Sequence, residues 1–145
     1  MADLSITTTQ VIATTTNRGT HILHGTAGEA ITQGQSVYLK STDNKLYKAD
    51  ADDSAATAAA VGIAVSAASV ANQQVSYQKS GTIVIGAAAS ITAGETYFVS
   101  DTAGGIKPAA DLGAGDYVTY LGVGDASNGI VMPDAGPVAS GTAHA

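Results

Sequence analysis

The chain repeats itself at a spacing of 60 residues, with no gap across the matched stretch. Ile31-Thr32-Gln33-Gly34 returns as Ile91-Thr92-Ala93-Gly94, Val37-Tyr38-Leu39 as Tyr97-Phe98-Val99, and Val61-Gly62-Ile63 as Leu121-Gly122-Val123. Between these, Thr42, Leu46 and Ala49 meet Thr102, Ile106 and Ala109. The shared positions are apolar strand positions and turn glycines, the positions a fold constrains. The implied unit is a hairpin, a variable loop with room for a short helix, and a Gly-containing strand. Two such pseudo-repeats, about 27–65 and 87–125, can pack face to face around one core. They are too few for a solenoid, which needs about three or more.

Turn residues divide the rest into short extended runs. Alternating or β-branched stretches at 20–25, 36–39, 45–49, 61–65, 74–78, 81–86, 96–99, 105–107, 116–123 and 129–132 read as strands. The Ala-rich stretch 51–60 has room for a short helix capped by Asp52 or Asp53. Residues 1–20 are rich in β-branched types and lack a turn for self-pairing, so they form an extended N-terminal arm. Residues 21–131 form a β-rich body, and 132–145 a Gly/Ala/Ser-rich C-terminal tail. Tails this poor in apolar residues fray in a free monomer, and an assembly is the simplest thing to hold them. The expected class is all-β: a compact barrel or sandwich built from two related units, with at most a short helix.

Composition narrows the function. Charged residues make up 12 % of the chain against about 25 % in an ordinary soluble domain. A surface of Thr, Ser, Ala and Gly suits a protein packed against neighbours. A net charge of −6 with six Lys+Arg residues gives no cationic cluster for a polyanion, so no nucleic-acid partner is expected. The absence of Cys excludes a thiol nucleophile, a disulfide scaffold and Cys-type metal sites. No apolar run reaches the roughly 20 residues of a spanning helix. Met1-Ala2-Asp3-Leu4 lacks the basic and apolar regions of a signal peptide, so neither a membrane nor a leader is expected.

No catalytic constellation emerges. His21 and His24 are separated by an odd number of residues, which on a strand sends them to opposite faces and suits one metal poorly. Asp50-Ala51-Asp52-Asp53 begins like an acidic calcium loop, but Ala55 and Val61 stand where that pattern needs Gly and Glu. No serine sits in G-x-S-x-G, no glycine-rich phosphate loop is present, and Glu29 and Glu95 have no partner acid. The six tyrosines could build a sugar platform, though those inside apolar strand runs suit packing better. No enzyme activity, cofactor or metal site is therefore expected.

Ala30-Ile31-Thr32-Gln33-Gly34-Gln35-Ser36-Val37-Tyr38-Leu39, then Lys45-Leu46-Tyr47-Lys48-Ala49-Asp50, Ala60-Val61-Gly62-Ile63-Ala64 and Gly81-Thr82-Ile83 together resemble the capsid cement or decoration proteins of tailed bacteriophages, over roughly residues 20–131. The stretch 37–83, with Tyr77-Gln78-Lys79-Ser80-Gly81-Thr82, also resembles the lambda-type head decoration protein. Beyond Ile85 the chain departs from that pattern into its own second repeat. The resemblance implies a β-tulip-like body on the outer surface of the virion, bridging subunits of the major capsid protein without enzymatic activity. It also implies a homotrimer, with a two-fold dimer as the rival. A tail or fibre component and a carbohydrate-binding β-module are the alternatives. On the capsid reading, the arm adds a strand to the shell protein or a neighbouring copy. Ile6, Val11 and Ile12 then fill shallow pockets, and Arg18 makes the charged contact. The competing expectation is an arm that folds back as an edge strand on its own body.

Overall fold

The computed structural model describes residues 3–13, 20–86 and 89–144. Its strands are β1 (Ile12–Ala13), β2 (His21–Thr26), β3 (Ser36–Lys40), β4 (Lys45–Lys48), β5 (Gly62–Ala64), β6 (Gln74–Val84), β7 (Thr96–Val99), β8 (Ile106–Pro108), β9 (Tyr117–Gly124), β10 (Gly129–Met132) and β11 (Val138–Ala143). Among the described residues one four-residue α-helix, α1 (Ala55–Ala58), and short 3-10 turns at Thr8–Gln10 and Ala109–Asp111 interrupt them. The fold is all-β. The sheet is antiparallel, curled into a half-barrel, in the order β4-β3-β5-β6-β10-β9-β7-β8, with β1 and β2 on β6 and β11 on β9.

That order reads 4-3-5-6 from one end and 8-7-9-10 from the other, so the two units meet head to head at β6 and β10. The 60-residue spacing reappears in the strand register. Ser36↔Ile63 and Val37↔Gly62 recur as Thr96↔Val123 and Tyr97↔Gly122. In the hairpins, Val37↔Lys48, Tyr38↔Tyr47 and Leu39↔Leu46 recur as Tyr97↔Pro108, Phe98↔Lys107 and Val99↔Ile106. The entry turns match too: Gly34 N–H donates to Ala64 O and Gly94 N–H to Gly124 O, with both glycines at positive φ (88° and 83°).

The matched strand glycines have a steric cause. A Cβ on Gly62 would lie 2.4 Å from Gln78 O, and one on Gly122 would lie 2.4 Å from Val131 O. Both obstacles are backbone of the neighbouring strand, so neither can swing aside. Gly62→Ala and Gly122→Ala are each expected to cost about 1–3 kcal/mol, as overpacking does. Thermal melts of the two single variants check this, and a variant as stable as the parent would refute the close approach.

The core lies in two parts. The larger cluster draws Ile63, Ile83, Ile85, Tyr97, Val99, Ile106, Leu121, Ile130 and Met132 from both units. The smaller lies under the first unit around Ile31, Val37, Leu46, Val75 and Tyr77.

Four expectations need correction. The runs 74–78 and 81–86 are not separate strands: β6 continues through Gly81, which takes φ +85°. The helix is capped by Ser54, not Asp52 or Asp53. Ser54 Oγ accepts from Thr57 N–H while Thr57 Oγ1 accepts from Ser54 N–H, a reciprocal cap that satisfies two otherwise orphan donors. The Asp50 carboxylate instead accepts from Asp52 N–H, closing the preceding turn. The C-terminal tail is held by its own body, since β11 pairs with β9 and His144 N–H donates to Asp116 O at 2.6 Å. The described part of the arm likewise lies on its own body.

Candidate functional site

The arm was the candidate contact surface, and its Leu4, Ile6 and Val11 turn inward. Val11 is 6 % exposed within the larger core cluster, and Leu4 and Ile6 pack against that cluster half-buried. Ile6 and Val11 lean on the turn at Gly34, where an added Cβ would meet Ile6 Cγ2 at 2.6 Å and Val11 Cγ2 at 3.0 Å. Ile12 enters β1, paired with Val84 of β6. Arg18 lies outside the described residues. Ile6 and Val11, expected in a partner's pockets, here fill pockets of their own chain. The physical reason is that apolar surface of the same chain lies within reach, from the Gly34 turn to the open side of β8.

The arm occupies that side by a pseudo-symmetric contact. Leu4 N–H donates to Ile106 O at 2.9 Å, and 60 residues earlier Gly28 N–H donates to Leu46 O at 2.8 Å. The arm therefore caps the edge of β8 as residues 27–28 cap the edge of β4. Ser100 Oγ donates to Asp3 Oδ1 at 2.5 Å and fixes the arm's start. An open cavity of about 230 Å³ remains between the arm, the Thr32–Gln35 turn and residues 102–105.

Beside this seam lies a charge network. Lys107 is fully buried on β8, and its Nζ donates to Asp116 Oδ2 at 2.6 Å and to Asp101 Oδ1 at 3.1 Å. Gly113 N–H also donates to Asp116 Oδ2 at 2.8 Å. Burial works against the Lys107 cation, but hydrogen bonds and charge from Asp116 and Asp101 outweigh it and raise its pKa above the ordinary value. For Asp101, burial pushes upward, yet Lys107 and the Ser100 hydroxyl outweigh it and hold the carboxyl below the ordinary range. The network holds structure together: Asp116 anchors the last residues through His144. Reading residues singly gave no hint of it. The repeat carries the one signal, a Lys at the position where the first unit has Tyr47.

The tyrosines are divided among several settings, with the Tyr38 and Tyr47 rings paired at 6.0 Å. Tyr77 and Tyr97 belong to the core. Tyr47 is sandwiched: a Cβ on Gly28 would strike its ring, Lys40 Nζ stands 4.9 Å over the ring centre, and its hydroxyl donates to Asp43. Tyr120 meets Phe98 edge-on at 5.9 Å. The histidines sit on β2, each against a serine of β6: His21 Nδ1 to Ser80 Oγ at 2.9 Å and His24 Nδ1 to Ser76 Oγ at 2.7 Å. Among the described residues no three His, Asp or Glu side chains are grouped to hold a metal ion. No described helix is long and apolar enough to cross a membrane.

What the surface does offer is bare strand. All six residues of β11, Val-Ala-Ser-Gly-Thr-Ala, are exposed and uncharged. In β2, His21, Leu23, His24 and Thr26 are exposed, and the strand carries no Lys, Asp, Glu or Pro. No family model matches the chain, and no curated protein or solved structure matches it.

Proposed function

We propose that the chain is a structural decoration, or cement, protein that sits on the outer surface of a phage head and stabilises the shell by bridging major capsid subunits. The observation that supports this reading best is the pair of uncharged, exposed strands β2 and β11. A freely soluble β protein guards such strands with Lys, Pro or other charge, because an open edge is a template for another chain. A protein that spends its life packed against neighbours has no such need. The residues carrying the resemblance also sit at constrained positions: the Gly34 turn, the β3–β4 hairpin and β5. In this reading the body, not the arm, meets the shell. Docking by Ile6 and Val11 would require them to leave their own core.

The test is binding to mature heads that lack the protein. Sedimentation with purified heads, followed by imaging, is expected to show regular added density on the outer surface and heads more resistant to heat. Heads that stay bare at saturating protein would overturn the proposal, and binding to a glycan array instead would favour a carbohydrate-binding module.

A further inference from the structure

We infer that β2 is the surface through which two copies of this chain join, strand to strand and antiparallel, across a two-fold axis. The inference stands apart from head binding, because its test needs no shell.

The first ground is an inventory of sheet edges. The edge of β4 is taken by residues 27–28, through Gly28 N–H to Leu46 O and the Ala27–Leu46 bridge. The edge of β8 is taken by the arm, through Leu4 N–H to Ile106 O. β11, the other exposed uncharged strand, pairs with β9 and touches α1, but its register breaks between Ala139 and Ala143, which makes it a less regular template. The described part of β1 is two residues long. Among the described residues β2 pairs only with β6, over all six of its positions. The His21–Ser80 and His24–Ser76 contacts fasten it there. Its Gly25–Thr26 end runs toward β4, where Ala27 bridges Leu46, so His21–His24 is the stretch with no second strand beside it among the described residues.

The second ground is charge. Copies of a chain with net charge −6 repel one another over most of their surface. β2, His-Ile-Leu-His-Gly-Thr, is a six-residue stretch where two copies can approach without bringing carboxylates or ammonium groups together. Nothing on it would select a foreign strand by charge, whereas an antiparallel pair of identical strands is self-complementary by symmetry. Leu23 is 41 % exposed and Val70 58 %, two of the largest bare apolar side chains. Val70 belongs to the turn whose Asn72 N–H donates to Ala27 O, next to the end of β2. Leu23 and this flank add apolar contact to the main-chain bonds of the strand pair.

Sedimentation of the full chain is expected to show a concentration-dependent dimer. Leu23→Lys should raise the dimer dissociation constant about tenfold or more, because it sets two ammonium groups near the axis, while the fold stays intact by circular dichroism. The chain has no Cys, so His21→Cys, Leu23→Cys, His24→Cys and Thr26→Cys can be oxidised one at a time. Disulfide-linked dimer should form fastest at one position and fall away on either side, as a two-fold axis through the strand requires. A parent that stays monomeric, a trimer, a dimer indifferent to Leu23→Lys, or equal cross-linking at all four positions would each overturn the inference.

Discussion

A protein lacking residues 2–11 is expected to lose most of its cooperative thermal transition. The deletion removes Leu4, Ile6 and Val11 from the larger core cluster, together with the Leu4–Ile106 backbone bond and the Asp3–Ser100 anchor. Full burial of such side chains contributes about 1.5–3 kcal/mol each. Val11 is almost fully buried and the other two are half-buried, so the loss comes to roughly 3–6 kcal/mol. A domain has only about 5–15 kcal/mol in total. The surface uncovered over Gly34 and residues 102–105 adds to the cost. Differential scanning calorimetry of the truncated protein checks the expectation, with Val11→Ala as the milder companion. A truncated body that melts like the parent would show that the arm is a free tether after all, and would return it to the role of a docking strand.

The arm also shows how far the sequence could be read. Its extended character was legible, because Thr, Val and Ile runs favour extended backbone wherever they lie. Its partner was not, because an isolated strand carries no mark of which edge it will join. Only the repeat could have spoken: the first unit has Ala27-Gly28 beside β4, and the second needs something beside β8. The all-β class followed from short extended runs between turn residues, and the paired hairpins and strand glycines from the 60-residue spacing, whose matched positions keep register in space. The unity of β6 did not, because Gly81 reads as a turn until its φ of +85° is seen inside a continuing strand. Of the four contact candidates, Ile6 and Val11 were recognisable as apolar anchors, but amphipathic spacing is the same for a chain's own pocket and a partner's. The buried Lys107 was invisible for a related reason. A Lys in a three-residue strand normally faces water, and its acids, Asp101 and Asp116, are brought to it by two different turns.

Lys107→Met is expected to lower stability by about 3–5 kcal/mol, the range for breaking a buried ion pair from one side. The figure belongs mainly to Asp116, which is 4 % exposed and would be left with only the Gly113 N–H to compensate its charge. Asp101 contributes less, because its side chain is 31 % exposed and water can replace the lysine. For a chain of this length the midpoint should fall by on the order of 10 °C. Protection from hydrogen exchange should be lost first at Gly115, whose N–H donates to His144 O, and at His144, whose N–H donates to Asp116 O. The pH dependence has a determined sign. Asp101 is held below its ordinary pKa, so its contribution is complete above the carboxylate range and is lost as pH falls through the lowered value. Lys107 is raised, so its contribution is complete below the ordinary lysine value and is lost only as pH climbs through the raised one. The gap between parent and variant should therefore be widest across the neutral range and close in acid. A Lys107→Met, Asp116→Leu double variant separates repulsion from packing. If the stranded carboxylate is the cause, removing it recovers much of the loss, since an apolar replacement of a buried pair is often neutral or better. A single variant that melts within about 2 °C of the parent would mean that water already reaches this lysine and that the network contributes little.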